Sequence, residues 1–200
     1  CEKMLKLYEK KNINSICGSR FSNPKIGNYY FSKYNHAWGW ATWKKSWNKF
    51  DPNISFWPKW KNSNHWKKIN YDMNELSYWT KIFDATYKKK INTWDYAWTA
   101  CAWYNNQLSI IPSNNLINNI GFGPDATWTV QSKKNKIKKF HKMKEKIKLK
   151  KIIQDNLKDK YVFYNHFGGG NEMNLVKIIK LTKLLVNDPS TVLLKIKRNF

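Results

Sequence analysis

Carboxylates are scarce in this chain, so a residue able to act as a general base can be sought among few candidates. The sequence holds 13 aspartate and glutamate residues against 37 lysine and arginine residues. Asp95 stands out because residues 93–98 (Thr-Trp-Asp-Tyr-Ala-Trp) have the pattern of a helix start, where the helix dipole favours a charged carboxylate. Two interpretations stay open: Asp95 removes a proton from a reacting hydroxyl, or it only stabilises the helix, by about 0.3–1 kcal/mol.

The 12 tryptophans are far more than a chain of this size usually carries. An indole ring either fills a core or offers a flat face on which a sugar ring can stack. Trp38, Trp40 and Trp94 each stand beside a glycine or an acid in a predicted loop or helix start, and are the candidates for sugar stacking. Core packing is the prediction for four others, Trp43, Trp47, Trp79 and Trp103.

Other reactive residues have weaker cases. Asp51 precedes a proline and is explained by a turn or helix end, although it could also bind a sugar hydroxyl. His36 is better explained as a structural residue than as a catalytic one. The three cysteines, Cys1, Cys17 and Cys101, have no paired spacing, which argues against a disulfide framework or a zinc site and favours a reducing cytoplasm.

The elements that would position these residues follow from the hydrophobic patterns. Strands are predicted at residues 13–17 and 108–111, the second ended by Pro112. Helices are predicted at residues 74–87 and 94–105, and residues 36–50 also have a helical pattern that would place Trp40, Trp43 and Trp47 on one face. Mixed elements with long loops, including one through residues 114–123, predict an α/β fold.

The formal net charge of +24 raises nucleic acid and anionic membranes as partners. Lysine, asparagine and isoleucine dominate together, however, and Arg20 and Arg198 are the only arginines, so the charge is explained by composition bias and no nucleic-acid partner is expected. Residues 133–151 are almost all lysine and apolar, and fit either a basic amphipathic helix on an anionic membrane surface or a solvated helix or linker. No apolar run reaches the roughly 20 residues that span a bilayer.

Several ordered motifs together resemble the GT-A-type glycosyltransferases related to family 2, of the bacterial surface-polysaccharide kind. They are residues 30–34 (YFSKY), residues 37–43 (AWGWATW) with Trp47 and Asp51, residues 94–98 (WDYAW), Ile111-Pro112, and residues 115–127 (NLINNIGFGPDAT). The resemblance covers about residues 1–130. It divides the chain into the acceptor-side part of a GT-A-like (Rossmann-like) domain at 1–130 and a basic, mainly helical C-terminal extension at 131–200.

The resemblance implies an inverting transfer from a nucleotide-sugar donor to a saccharide or lipid-linked acceptor, in cell-surface polysaccharide synthesis at the cytoplasmic face of the membrane. It places Asp95 as the general base, assigns substrate binding to Trp38, Gly39, Trp40, Trp94 and Asp51, and puts a divalent metal (Mg²⁺ or Mn²⁺) mainly on an acidic motif upstream. Because the chain opens on Cys1 and lacks that motif, it is expected to be a C-terminal fragment, inactive alone. Trp128 stands where the family commonly has histidine, so no metal ligand is named. A noncatalytic carbohydrate-binding protein is the alternative.

Overall fold

The computed structural model describes residues 2–22, 27–70, 72–117, 147 and 149–167. Within these residues the chain forms a small mixed sheet surrounded by helices, which confirms the predicted mixture of α and β structure. Residues 118–127 of the Asn-Leu-Ile motif, Trp128, the predicted boundary at residue 130 and most of the predicted extension at 131–200 lie outside the described residues. No described helix has the length and apolar character needed to cross a membrane.

The sheet has the strand order β2-β4-β1-β3, formed by Tyr29–Ser32, Leu108–Pro112, Ile13–Ile16 and Ala41–Thr42. The two central strands, β1 and β4, pair in parallel. On the outside, β2 pairs antiparallel with β4, and β3 pairs antiparallel with β1. Parallel neighbours need a long crossover connection, and here about ninety residues, which include both outer strands and the helices α2 to α6, separate the two strands in sequence. Both strands predicted from the sequence are confirmed as the centre of the sheet.

The helices follow the predicted pattern best where they are long. They are α1 Glu2–Tyr8, α2 Lys44–Trp47, α3 Trp57–Trp60, α4 Asn64–Ile69, α5 Met73–Tyr87, α6 Trp94–Tyr104 and α7 Asn156–His166. The α5 helix starts where the Asp72 carboxylate accepts from the backbone N–H of Glu75, as an N-cap does. Helices α5 and α6 confirm the predictions for residues 74–87 and 94–105.

The predicted helix over residues 36–50 is wrong for most of its length. Gly39 adopts a φ of +56°, which interrupts any right-handed helix, and Ala41–Thr42 instead pairs with β1 as an edge strand. Trp43 is still extended, so that only the single turn α2 is helical. Trp40, Trp43 and Trp47 consequently do not share one helix face.

Most of the tryptophans build the core. A cluster between α3, α4, α5 and α6 buries Trp57, Trp60, Trp66, Trp79 and Trp103. The core prediction is confirmed for Trp79 and Trp103, and for Trp43, which packs in a second cluster with α1 and the sheet. It is wrong for Trp47, which is 49% exposed because α2 ends at this residue, on the surface of the helical layer.

Residues 149–155 and the α7 helix pack against the edge of the sheet. The Lys150 ammonium donates to the carbonyl of Tyr29 at 3.0 Å, and the Asp155 N–H donates to the carbonyl of Phe31 at 2.9 Å. The Asp159 carboxylate, on α7, accepts from the backbone N–H of Lys33 at 3.0 Å. In residues 133–151, only Ile147 and 149–151 are described, and these are not helical. The membrane contact predicted for this segment stays a prediction.

Candidate functional site

A cavity of about 370 Å³ lies at the N-terminal end of α6. Its lining comes from five places in the chain: the segment between β1 and β2, the loop after β2, helix α5, the start of α6 and the end of α7. The residues are Phe21, Asn35, Ala37, Trp38, Tyr78, Trp79, Asp95, Tyr96, Thr99, His166 and Phe167. The structure therefore brings together Asp95 and Trp38, two of the residues singled out from the sequence.

Asp95 is held by one carboxylate oxygen. Thr93, extended at the N-cap position of α6, donates its hydroxyl to Asp95 Oδ1 at 2.5 Å, and the backbone N–H of Tyr96 donates to the same oxygen at 2.9 Å. Within the described part of the chain, no hydrogen bond reaches Oδ2. The carboxylate is thus oriented by one oxygen while the other can accept a proton.

Two further polar side chains line the cavity next to Asp95. The Thr99 hydroxyl is one helical turn beyond Asp95, and it contacts both the Asp95 carbonyl at 2.9 Å and Asn35 Oδ1 at 2.5 Å. This fixes Asn35, which belongs to the loop after β2, against the α6 helix. Sequence reasoning missed both residues, although the four-residue spacing between Asp95 and Thr99 predicts that they share a helix face.

Aromatic rings form much of the rest of the cavity lining. Trp38 is 39% exposed and meets Phe21 edge to face at 5.6 Å between ring centroids. Phe21 also stacks in parallel on His166 at 3.7 Å. A half-exposed indole face beside a carboxylate is the arrangement that binds a sugar ring by stacking and by hydrogen bonds to its hydroxyls.

His166 and Phe167 were not found from the sequence. They follow from the position of α7, which begins with the Asp155 side chain accepting from the Lys158 N–H. This helix lies about seventy residues beyond Asp95 in sequence, and no motif marked it. His36, in contrast, is fully buried, with Nδ1 3.2 Å from the Ser19 carbonyl oxygen, behind the cavity lining, as expected for a structural histidine.

The tyrosines of the cavity remain protonated over the physiological pH range. Burial raises the pKa of Tyr78 to about 12, and the neighbouring Tyr96 adds to the shift. Burial also raises the pKa of Tyr96, to which the charge of Asp95 contributes. Both hydroxyls can therefore donate hydrogen bonds to a ligand without carrying charge.

Trp40 and Trp94 lie beside the cavity rather than in its lining. Their rings stack at 5.3 Å with an interplanar angle of 24°, and Trp94 is 43% exposed. Gly39, between Trp38 and Trp40, has a positional role: a Cβ there would approach Ile117 Cγ2 to 2.8 Å. The glycine thus permits the turn between the two tryptophans. Gly39 also lines a second, largely apolar cavity of about 270 Å³.

Asp51 is not part of the cavity. Its Oδ1 accepts from the Asn53 N–H at 2.9 Å, and its Oδ2 accepts from both the N–H and the hydroxyl of Ser55 at 2.6 Å. Burial would raise the pKa of Asp51, but the hydrogen bonds from Ser55 and Asn53 outweigh it and leave the pKa below its ordinary value. The carboxylate is engaged within its own loop, which is joined to α6 through Cys101.

No group of three or more histidine, cysteine, aspartate or glutamate side chains in the described ranges could hold a metal ion. The predicted Mg²⁺ or Mn²⁺ therefore has no ligand set among these residues. Comparisons of the chain with protein-family models, with curated proteins and with solved structures found no match.

Proposed function

We propose that this chain supplies the acceptor site and the general base of a GT-A-type glycosyltransferase related to family 2, which moves a sugar from a nucleotide-sugar donor to a saccharide or lipid-linked acceptor. The observation that carries the proposal is the Asp95 carboxylate, oriented through one oxygen, in a cavity that it shares with the exposed indole of Trp38. The mixed α/β fold is compatible with such a protein. The setting proposed is cell-surface polysaccharide synthesis at the cytoplasmic face of the membrane.

The acceptor sugar stacks on Trp38 with the reacting hydroxyl directed at Asp95 Oδ2. As the acceptor oxygen attacks the anomeric carbon of the donor, its proton passes to Asp95, and the bond from that carbon to the nucleoside diphosphate breaks with its electron pair leaving on the phosphate oxygen. Attack from the side opposite the leaving group inverts the anomeric configuration. Such general-base assistance contributes about 10²–10⁴ in rate.

Thr93 and Thr99 act by positioning. Thr93 holds Oδ1 of Asp95 and leaves Oδ2 to take the proton, and Thr99 fixes Asn35, whose amide group is suited to a sugar hydroxyl. A divalent metal would neutralise the departing diphosphate in this class of enzyme. We assign it no ligand among the described residues, and no step of the proposal depends on one.

The test is release of nucleotide by the full-length protein, with UDP-, GDP- and dTDP-sugars, Mg²⁺ or Mn²⁺ and saccharide acceptors. We expect Asp95→Asn to lower kcat by about 10² or more with little change in KM. Glu9→Gln is the matched control, because this acidic side chain is exposed just after α1 and is not part of the cavity lining, and it should keep kcat. Equal activity of Asp95→Asn and wild type would remove Asp95 from the mechanism.

A noncatalytic carbohydrate-binding protein is the second candidate, supported by the same exposed rings, Trp38 and Trp94. It predicts saccharide binding that is independent of nucleotide sugars, with no turnover of any donor. Saccharide affinity retained in a full-length protein that releases no nucleotide would favour this candidate over the enzyme.

A further inference from the structure

The cavity that holds Asp95 differs in charge from the rest of the protein. Although 37 of the 200 residues are lysine or arginine, neither type occurs among the described residues of its lining. The lining has one carboxylate, that of Asp95, and seven of its eleven residues are aromatic, with His166 among them. A chain with a formal net charge of +24 therefore contains a cavity whose described lining holds an acid and no lysine or arginine.

The basic side chains closest in sequence to the lining are engaged elsewhere. The Arg20 guanidinium donates to the carbonyl of Ser113, just after β4. The Lys33 ammonium lies 2.8 Å from the Glu75 carboxylate and contributes to the lining of a different cavity, of about 530 Å³. Lys68 also lines that other cavity. Lysines can therefore line cavities in this chain, and their absence beside Asp95 is a property of this one.

An anionic group in the Asp95 cavity would meet three unfavourable effects. It would be repelled by the Asp95 carboxylate, and two like charges about 6 Å apart in a partly solvated site lower the affinity about tenfold. It would lose water without gaining an ammonium or guanidinium partner. The faces of the aromatic rings carry the negative part of the ring quadrupole and so offer an anion no compensation.

The N-terminal end of α6 does not offset these effects. The free N–H groups at a helix N-terminus attract anions. Here the chain's own carboxylate takes that place, because the Tyr96 N–H donates to Asp95 Oδ1 at 2.9 Å. The other polar groups of the lining include the Asn35 amide and the hydroxyls of Tyr78 and Tyr96, which suit the hydroxyls of an uncharged sugar.

We infer that the acceptor presents an uncharged sugar unit to Asp95, and that the cavity excludes acidic sugars such as uronic acids. This inference rests on the proposed glycosyl transfer at Asp95, and it deepens that proposal by naming the charge class of the reacting unit. The net positive charge of the protein attracts acidic glycans at long range. Selection against them is therefore local to the cavity and opposes the field of the whole protein.

The experiment measures binding of matched sugars to the full-length protein at about pH 8, above the range in which histidine side chains ordinarily titrate. The probes are the methyl glycosides of glucose and galactose, each paired with the methyl glycoside of its uronic acid. The members of a pair differ only at the sixth carbon. Ligand-observed NMR gives a Kd for each probe without requiring turnover. We expect the neutral member of a pair to bind about tenfold more tightly than its uronic acid.

Two substitutions locate the selection in the cavity. Asp95→Asn removes the repelling charge at nearly constant shape, and should reduce the preference for the neutral sugar to about threefold or less. His166→Lys adds a cation to the lining at the C-terminal end of α7, where the helix dipole favours one, and should also reduce the preference. Asn165→Lys is the matched control, because this neighbouring residue is exposed and does not line the cavity, so the same added charge should leave the preference unchanged.

The outcomes separate this inference from the proposed function. Nucleotide release that depends on Asp95 but is as fast with the uronic acid as with the neutral sugar would overturn the inference and keep the enzyme. A preference that Asp95→Asn removes, in a protein whose turnover this change does not slow, would support the charge selection and discard the base. If Asn165→Lys reduced the preference as much as His166→Lys, the selection would belong to the whole protein and the inference would be wrong. Binding of no sugar in any pair would overturn the inference together with the sugar site.

Discussion

Gly39 occupies a position where a larger residue is unfavourable, and Gly39→Ala tests the geometry of the loop that carries Trp38 and Trp40. Its φ of +56° is left-handed, which costs an alanine about 1–2 kcal/mol. The new Cβ would also lie 2.8 Å from Ile117 Cγ2 and 2.9 Å from Ile117 Cδ1, an overlap of the kind that costs about 1–3 kcal/mol. Alanine also lowers the conformational entropy of the unfolded chain, which stabilises the folded state by about 0.4–1 kcal/mol.

The sum predicts that Gly39→Ala lowers the free energy of unfolding by about 2–4 kcal/mol, measured by urea denaturation of the full-length protein. The two causes can be separated in an Ile117→Ala background, because that change removes both atoms that the Cβ would meet. In that background Gly39→Ala should cost only about 1 kcal/mol, which is the cost of the left-handed φ minus the stabilisation from the lower entropy of the unfolded chain. An equal cost in both backgrounds would refute the overlap, and no cost in either would refute the left-handed loop.

Two further predictions concern the buried charges beneath the cavity. Lys33→Met should destabilise the protein by about 3–5 kcal/mol, because the Lys33 ammonium lies 2.8 Å from the fully buried Glu75 carboxylate, which would then lack its cation. In urea unfolding, the double variant Lys33→Met/Glu75→Gln should be more stable than Lys33→Met by more than about 1 kcal/mol. A double variant no more stable than the single one would contradict this. Burial raises the pKa of Asp159 to about 6, so that between about pH 4 and 6 this carboxyl is protonated in the folded state but ionised in the unfolded state. The free energy of unfolding should therefore fall by up to about 3 kcal/mol as the pH rises from about 4 to 6. Asp159→Asn should abolish this pH dependence.

The sequence predicted the elements whose pattern is local and long. The amphipathic α5 and the start of α6 were both placed to within one residue, because capping and helical spacing specify them. The predicted helix through residues 36–50 failed for the opposite reason. Its tryptophan spacing satisfied a helical pattern, whereas the backbone is set by Gly39 and by pairing of Ala41–Thr42 with a strand more than twenty residues earlier.

The candidate site was predicted only in part. Asp95 and Trp38 could be found because a scarce acid at a helix start and a tryptophan beside a glycine are unusual in themselves. Asn35 and His166 could not, since an ordinary asparagine and histidine acquire a role only from the long-range packing of the β2 loop and of α7. The burial of Trp47 could not be predicted for a similar reason. Its helical spacing would place it in the core only if the helix extended through the whole segment, whereas α2 is a single turn that ends at Trp47.

The position of α7 ties the buried charges to the cavity. The Asp159 carboxylate accepts from Ser32, from the Lys33 N–H and from Gln154, and the Tyr164 hydroxyl donates to Asp72 at 2.5 Å, where Asp72 caps α5. The first set of contacts fixes α7 to the end of β2, and the last fixes α7 to the start of α5, which also lines the cavity. Removing a donor to Asp159 would leave a buried carboxylate poorly compensated and loosen the helix that carries His166. The buried Asp159 carboxylate and the Asp72 cap thereby determine where α7 lies against β2 and α5, and with it the position of His166 in the cavity lining.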